Sequence, residues 1–459
     1  MKKLIIILVL FSGIPGTVIP GLTSVIPDPI RDLAAQPRTE NHPWTLQECI
    51  GYALDHNLSV QQSALQVEQR EIELGTARSS RLPAVSAGAS QNFSFGRGLT
   101  ADNTYANTNT TNTSLSLGAD MPLFNGLRIQ NNIALSQLNL QAATEDLEKA
   151  RDDIRVAVAQ AYVQILYNRE ILEVAQRQVE IDSLQVERLE ARLGNGKAAP
   201  AEVAAQEASL AQSRLTAVQA AGNLQLARLD LAQLLELPSP EGFDVAAPSS
   251  DQQPRLLPPS PESVYEEAVG IKPVIKAEET RLAYAERNIS LAKGGYLPSL
   301  SLSGGLGTNY YTSSGYESHK FFDQLSNNFS QYIGLSLNIP VFSRMTTRNQ
   351  VRSAKLNYNS QQLQLDQVKK QLFKEIQQAW YNAFTAREKY ESSLQAEEAA
   401  AESFALVQAR YENGKATITE FNESKNQYLK AGSDRVQARY ESLYQSGLLD
   451  FYRGKDIEL

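Results

Sequence analysis

Few residues of this 459-residue chain have the type and spacing to do covalent chemistry. Cys49 is the only cysteine, so neither an intrachain disulfide nor a thiolate cluster can form. His42, His56 and His319 lie far apart and fit neither HExxH nor His/Cys ligand spacing. The chain contains no GxxxxGK[ST] phosphate loop and no GxSxG elbow. No enzyme activity, cofactor or metal is therefore expected. The 43 basic and 51 acidic residues leave a net charge of −8, which argues against a nucleic-acid partner. The carboxylates that stand out are Glu420 and Glu423, six and nine residues after Gly414. Three positions apart, they share one helical face. Glu202 follows Gly196 by the same six residues, and Lys197 and Lys415 each follow a glycine directly.

What positions these residues is a tandem duplication. Leu82-Pro83 matches Leu297-Pro298 at an offset of 215. Met121-Pro122-Leu123-Phe124 matches Ile339-Pro340-Val341-Phe342, and Asn195-Gly196-Lys197-Ala198 matches Asn413-Gly414-Lys415-Ala416, both at 218. Each half reads as helix, strand, loop, strand, very long helix, tight turn, helix. The first helix is expected over about 45–80 and its partner over about 262–295. Val158, Ile165, Leu172, Val179, Val186 and Leu193 recur every seven residues, with Ile154, Ala161, Ala175 and Leu189 four before them. That repeat predicts coiled-coil packing of a helix about 100 Å long. The glycines of the turns suit left-handed caps, Pro200 the first turn of the next helix, and Thr417 with Glu420 a capping box. Seven of the 19 prolines fall in 238–261, which reads as a linker between the repeats.

Lys2 and Lys3 before the apolar run Leu4 to Phe11 read as a secretory signal peptide, with 1–36 as leader. No later segment reaches 18 apolar residues, so any membrane insertion must use strands. The clearest candidate is 332–339, with Ile333, Leu335, Leu337 and Ile339 on one face and Tyr332, Gly334, Ser336 and Asn338 on the other. One chain offers four strands, fewer than the eight of the smallest outer-membrane barrels, so a barrel would need several chains. Cys49 reads as a small buried residue, and Tyr162 and Trp380 as packing aromatics at equivalent points of the long helices.

The paired Leu-Pro, the xx-Pro-x-Phe leaving each hairpin, and the turns Arg192-Leu193-Gly194-Asn195-Gly196 and Arg410-Tyr411-Glu412-Asn413-Gly414 together resemble the TolC-like outer-membrane efflux factors over roughly 44–453. The resemblance implies a mainly α fold with transmembrane β. The duplicated coiled-coil helices would form a periplasmic α-barrel, and four strands per chain would join a trimeric twelve-stranded outer-membrane β-barrel. The domains expected are 37–236 (hairpin about 83–122, tip 194–198), the linker 237–261, and 262–459 (hairpin about 298–340, tip 412–416). The implied role is an outer-membrane exit duct for small molecules, energised by an inner-membrane pump through a periplasmic adaptor. The alternative on the same fold is a type I protein secretion channel. A soluble periplasmic coiled-coil scaffold accounts less well for the duplicated hairpins. The family implies that Glu420 and Glu423 narrow the periplasmic mouth, where a trimer would stack two rings of three carboxylates that favour cations. It also implies that Asn195, Gly196, Lys197, Asn413, Gly414 and Lys415 meet the adaptor. Glu202 is a weaker mouth candidate, because an acidic first turn also complements the helix dipole.

Overall fold

The structure, a computed structural model, describes residues 43–99, 103–240, 242–247, 260–314 and 319–458. The leader read over 1–36 lies outside them, as do 241 and 248–259 of the linker. The expected opening helix is two helices, α1 (Leu46–His56) and α2 (Leu58–Ser79). Asn57 separates them with an extended ψ of 128°, and its side chain caps α2 by accepting from the Ser59 N–H at 2.9 Å. The equivalent helix of the second repeat divides at the matching position, into α5 (Pro261–Ile271) and α6 (Pro273–Lys293). There Pro273 drives Lys272 out of the helical region.

Each repeat then enters the sheet. Strands β1 (Ala84–Leu99), β2 (Tyr105–Asn125), β3 (Ser299–Ser313) and β4 (Ser330–Asn338) form one antiparallel sheet in the order β1-β2-β3-β4. A short helix, α7 (Phe321–Asn327), precedes β4 and was not foreseen from sequence. The register gathers the alternating residues of all four strands. Ala87 faces Leu117, Leu117 faces Leu306, and Met121 faces Leu302, which in turn faces Leu335. Val85, Leu115, Leu300, Ile333 and Leu337 share that face, with Ile333 81% exposed. The opposite face is small and polar: Ser86, Gly88 and Ser90 on β1; Ser116 and Gly118 on β2; Ser301, Ser303 and Gly305 on β3; Gly334 and Ser336 on β4. From Val85 to Phe95 the apolar face runs about 33 Å along β1, or about 25 Å in height at a 40° tilt. It is broken there by Gln91, whose carboxamide oxygen accepts from the Thr113 hydroxyl.

From the sheet the chain passes into the long helices α3 (Arg128–Gly194) and α8 (Thr346–Glu412), each 67 residues. At the first junction Gly126 has φ +66°, and a Cβ there would stand 2.3 Å from the Gly294 carbonyl oxygen, so only glycine fits. The chain turns back through α4 (Pro200–Leu234) and α9 (Ile418–Tyr452). α3 packs on α4 and α8 on α9, while α3 also touches α9. Nearer the sheet the neighbours run α2, α3, α6, α8, the same order as the strands that follow or precede them. The main core lies where Cys49 and Ile50 of α1, Val158, Tyr162 and Ile165 of α3, Leu231 of α4 and Val436 of α9 meet. Tyr162 donates from its hydroxyl to the Ala246 carbonyl at 2.6 Å, which ties linker residues 243–246 to the helices. Trp380 is half-buried and stacks on Phe384 at 5.7 Å.

Candidate functional site at the helical tips

Both tips are built alike. Gly196 (φ +66°) and Gly414 (φ +71°) adopt the left-handed conformation, and a Cβ at either would meet nothing within 4 Å. Backbone angle, not space, therefore calls for glycine. The Gly196 N–H donates to the Leu193 carbonyl at 2.9 Å and the Lys197 N–H to the Arg192 carbonyl at 2.8 Å. Gly414 to Tyr411 (3.0 Å) and Lys415 to Arg410 (2.8 Å) repeat this, a Schellman closure at each helix end. Asn195 and Asn413 donate from their side chains to the carbonyls of Ala191 and Ala409. All six tip residues are exposed. Arg188, two turns above the first tip, donates to Glu412 at 2.9 Å and joins the two hairpins.

Beyond the second tip, Glu420 closes a capping box. Its carboxylate accepts from the Thr417 N–H at 2.8 Å, and its own N–H donates to the Thr417 hydroxyl at 3.2 Å. Glu423 is exposed and lines an open groove of about 570 Å³ with Thr419, Asn422, Asn426 and Lys430. Glu202 lies in the uncapped first turn of α4. The hydroxyl of Tyr411, which stacks on Phe421 at 5.0 Å, has its pKa raised chiefly by burial. Nearby Arg192 and Arg188 oppose that shift and Glu202 adds to it, which places these charges of the first hairpin beside the second.

Sequence reasoning missed the most enclosed polar group of this region. Lys425 of α9 and Asp182 of α3 are fully buried and ion-paired, 243 residues apart in sequence. The Asp182 carboxylate also accepts from Gln206 at 3.0 Å and from the Ser213 hydroxyl, both on α4. Asn422 donates to Gln206 at 3.4 Å. The buried Gln185 Oε1 and Ser424 Oγ beside them have no protein partner. Three helices from both hairpins thus converge on one carboxylate about 18 Å above the end of α3. The signal was present: the heptad series 154, 161, 175, 189 passes through Asn168 and Asp182, two polar residues at seam positions.

Among the described residues no cluster of His, Cys, Asp or Glu has the grouping to hold a metal ion. No described helix is long and apolar enough to cross a membrane. The sequence matches the model of the outer membrane efflux protein family over residues 49–236 and 264–452, both repeats. The chain belongs to that family. The outer membrane efflux protein BepC of Brucella suis is 24% identical over 75% of this chain and 70% of its own length. The outer membrane protein TolC of Escherichia coli is 24% identical over 84% of this chain and 77% of its own. The fold is shared with the outer membrane channel CmeC of Campylobacter jejuni, with TM-score 0.75 and 19% identity over 92% of this chain and 87% of that one. This efflux protein is an outer-membrane channel component. Its sheet has one apolar face and one Ser/Gly face, the alternation that suits a barrel wall between lipid and water.

Proposed function

We propose that three copies of this efflux protein close one twelve-stranded barrel and one helical tube. The tube would receive small molecules from an inner-membrane pump through a periplasmic adaptor that docks on the tips. The observation that carries this is the pair of unfinished edges. The sheet ends in β1 on one side and β4 on the other, and a strand edge open to lipid leaves backbone groups unpaired at several kcal/mol each. The helix layer stops at the same two sides. On the β1 side α2 exposes Leu58, Leu65 and Ile72 seven residues apart; on the β4 side α8 exposes Leu356 and Leu363 at the same spacing. A rotated copy covers both edges at once. In this assembly the repeats 37–236 and 262–459 supply equivalent staves, joined by linker 237–261. Asn195 to Lys197 and Asn413 to Lys415 form the adaptor surface, displaying six lysines. Glu423 and Glu420 ring the mouth, with Glu202 at the position on the other hairpin that matches Glu420. No catalysis is assigned; the duct works by position and charge.

The test is the native mass of the protein extracted by detergent from the outer membrane, followed by conductance in planar bilayers. A three-chain mass and ion conductance are expected. A one-chain mass in the same extract would overturn the proposal.

A further inference from the structure

The four strands are unequal: β1 has 16 residues and β4 nine. Antiparallel pairing of β4 with the β1 of a neighbouring copy, aligned at their inner ends, leaves 16 − 9 = 7 residues of β1, 93–99, with no ladder partner. α7 occupies the place where β4 stops. The pairing of β3 with β4 ends at Gly307 opposite Ser330, and beyond it α7 takes over the edge of β3. The Gln324 carboxamide acts there as a strand residue would, accepting from the Tyr311 N–H at 2.9 Å and donating to the Tyr311 carbonyl at 3.0 Å. Asn328 donates to the Asn309 carbonyl at 2.8 Å, and the Thr308 hydroxyl donates to the Leu325 carbonyl at 2.6 Å. The edge of β3 is thus closed by side chains of this chain.

The aromatic residues show which way α7 faces. Tyr310 has the same parity on β3 as Leu300, Leu302 and Leu306, the apolar face, which meets lipid in the proposed barrel. Phe321 meets the Tyr310 ring edge-on at 4.9 Å, and Phe322 lies next to it at 5.3 Å, 79% exposed. On the far edge of the sheet, Phe93 and Phe95 have the same parity on β1 as Val85 and are 62% and 77% exposed. They lie within the seven residues that β4 does not reach. We infer that α7 is an intersubunit clasp, whose Phe322 packs on Phe93 and Phe95 of a second copy of this chain at the outer end of the barrel seam. This rests on the three-copy barrel proposed above. The aromatic contact would take over the seam where the backbone ladder ends, at the headgroup level where such rings are favoured.

The test is cysteine cross-linking of the full protein in its membrane. Phe322→Cys is combined with Phe95→Cys, and separately with Phe93→Cys; buried Cys49 is left in place. Within one chain, α7 and β1 are about three strand spacings apart, about 14 Å, too far for a disulfide. A bond must therefore join two chains. Covalent dimers and trimers are expected from at least one pair, and none from Phe322→Cys with Ser86→Cys at the inner end. Phe322→Ser should also lower the temperature at which detergent dissociates the assembly, and Phe322→Trp should restore it. A three-chain native mass with no cross-link from 322 to 93 or 95 would overturn the clasp and leave Phe322 facing lipid. A one-chain mass would overturn the barrel, and the clasp with it.

Discussion

At Glu420 the carboxylate is already engaged by the backbone of Thr417, whereas Glu423 stands exposed in its groove. Charge removal at the two is therefore expected to act differently. Glu423→Gln should relieve divalent block and raise conductance more than Glu420→Gln, while Glu420→Ala should also cost about 1 kcal/mol of cap stability. Bilayer recordings with and without divalent cations check the first, and thermal melting of the helical signal the second; equal block in both Gln variants would count against Glu423 as the dominant charge. The buried pair follows another rule. Removing either partner strands a charge, so Asp182→Asn or Lys425→Met should each cost about 3–5 kcal/mol, and the joint change Asp182→Leu with Lys425→Met should recover much of it. Melting of the three variants decides; a joint variant as weak as the sum of the two singles would show that the pair is not one unit. Burial, helped by the Glu48 charge, pushes the Cys49 thiol up to about 12. Its folded pKa lies above the unfolded value near 9, so its contribution to stability is complete below about pH 9 and is lost as pH rises toward 12. Folded protein should accordingly resist alkylation at pH 8 and react once denatured, as a timed thiol assay would show.

The elements divide by how local their causes are. The long helices were legible because a seven-residue apolar period needs no knowledge of the partner, and the tips because Asn-Gly after a helix has a local backbone reason. At Gly196 and Gly414 the demand is for positive φ in open space. Gly→Asn, which tolerates that angle, should keep pump-dependent resistance. A bulky Gly→Trp should abolish it while the protein still reaches the outer membrane. Resistance assays beside a membrane blot test this, and full resistance in the Trp variants would remove the tips as adaptor contacts. The division of the opening helix at Asn57 was missed, although Pro273 marks the matching point in the other repeat. A single asparagine is compatible with either a helix interior or a double cap, and the core beneath Cys49 and Ile50 selects the cap. α7 was missed because only the unequal strands create the edge it covers.

For the whole molecule, the exposed seams set the expectation. Leu65→Lys with Ile72→Lys on α2 should weaken the three-copy assembly and leave the single chain's helical content unchanged, because those side chains touch little within the chain. Native mass and circular dichroism together check this, and an unchanged mass would move the seam elsewhere. The sequence alone determined the duplicated plan, the coiled-coil helices, the alternating strands and the outer-membrane family, since each of these is a periodic pattern or a local motif written along the chain. Tertiary structure alone decided which strand faces lie together, where the two edges stand, and that Asp182 meets Lys425. Those facts depend on register and on contacts between residues up to 243 positions apart, and the free energy that fixes them exists only once both repeats have packed.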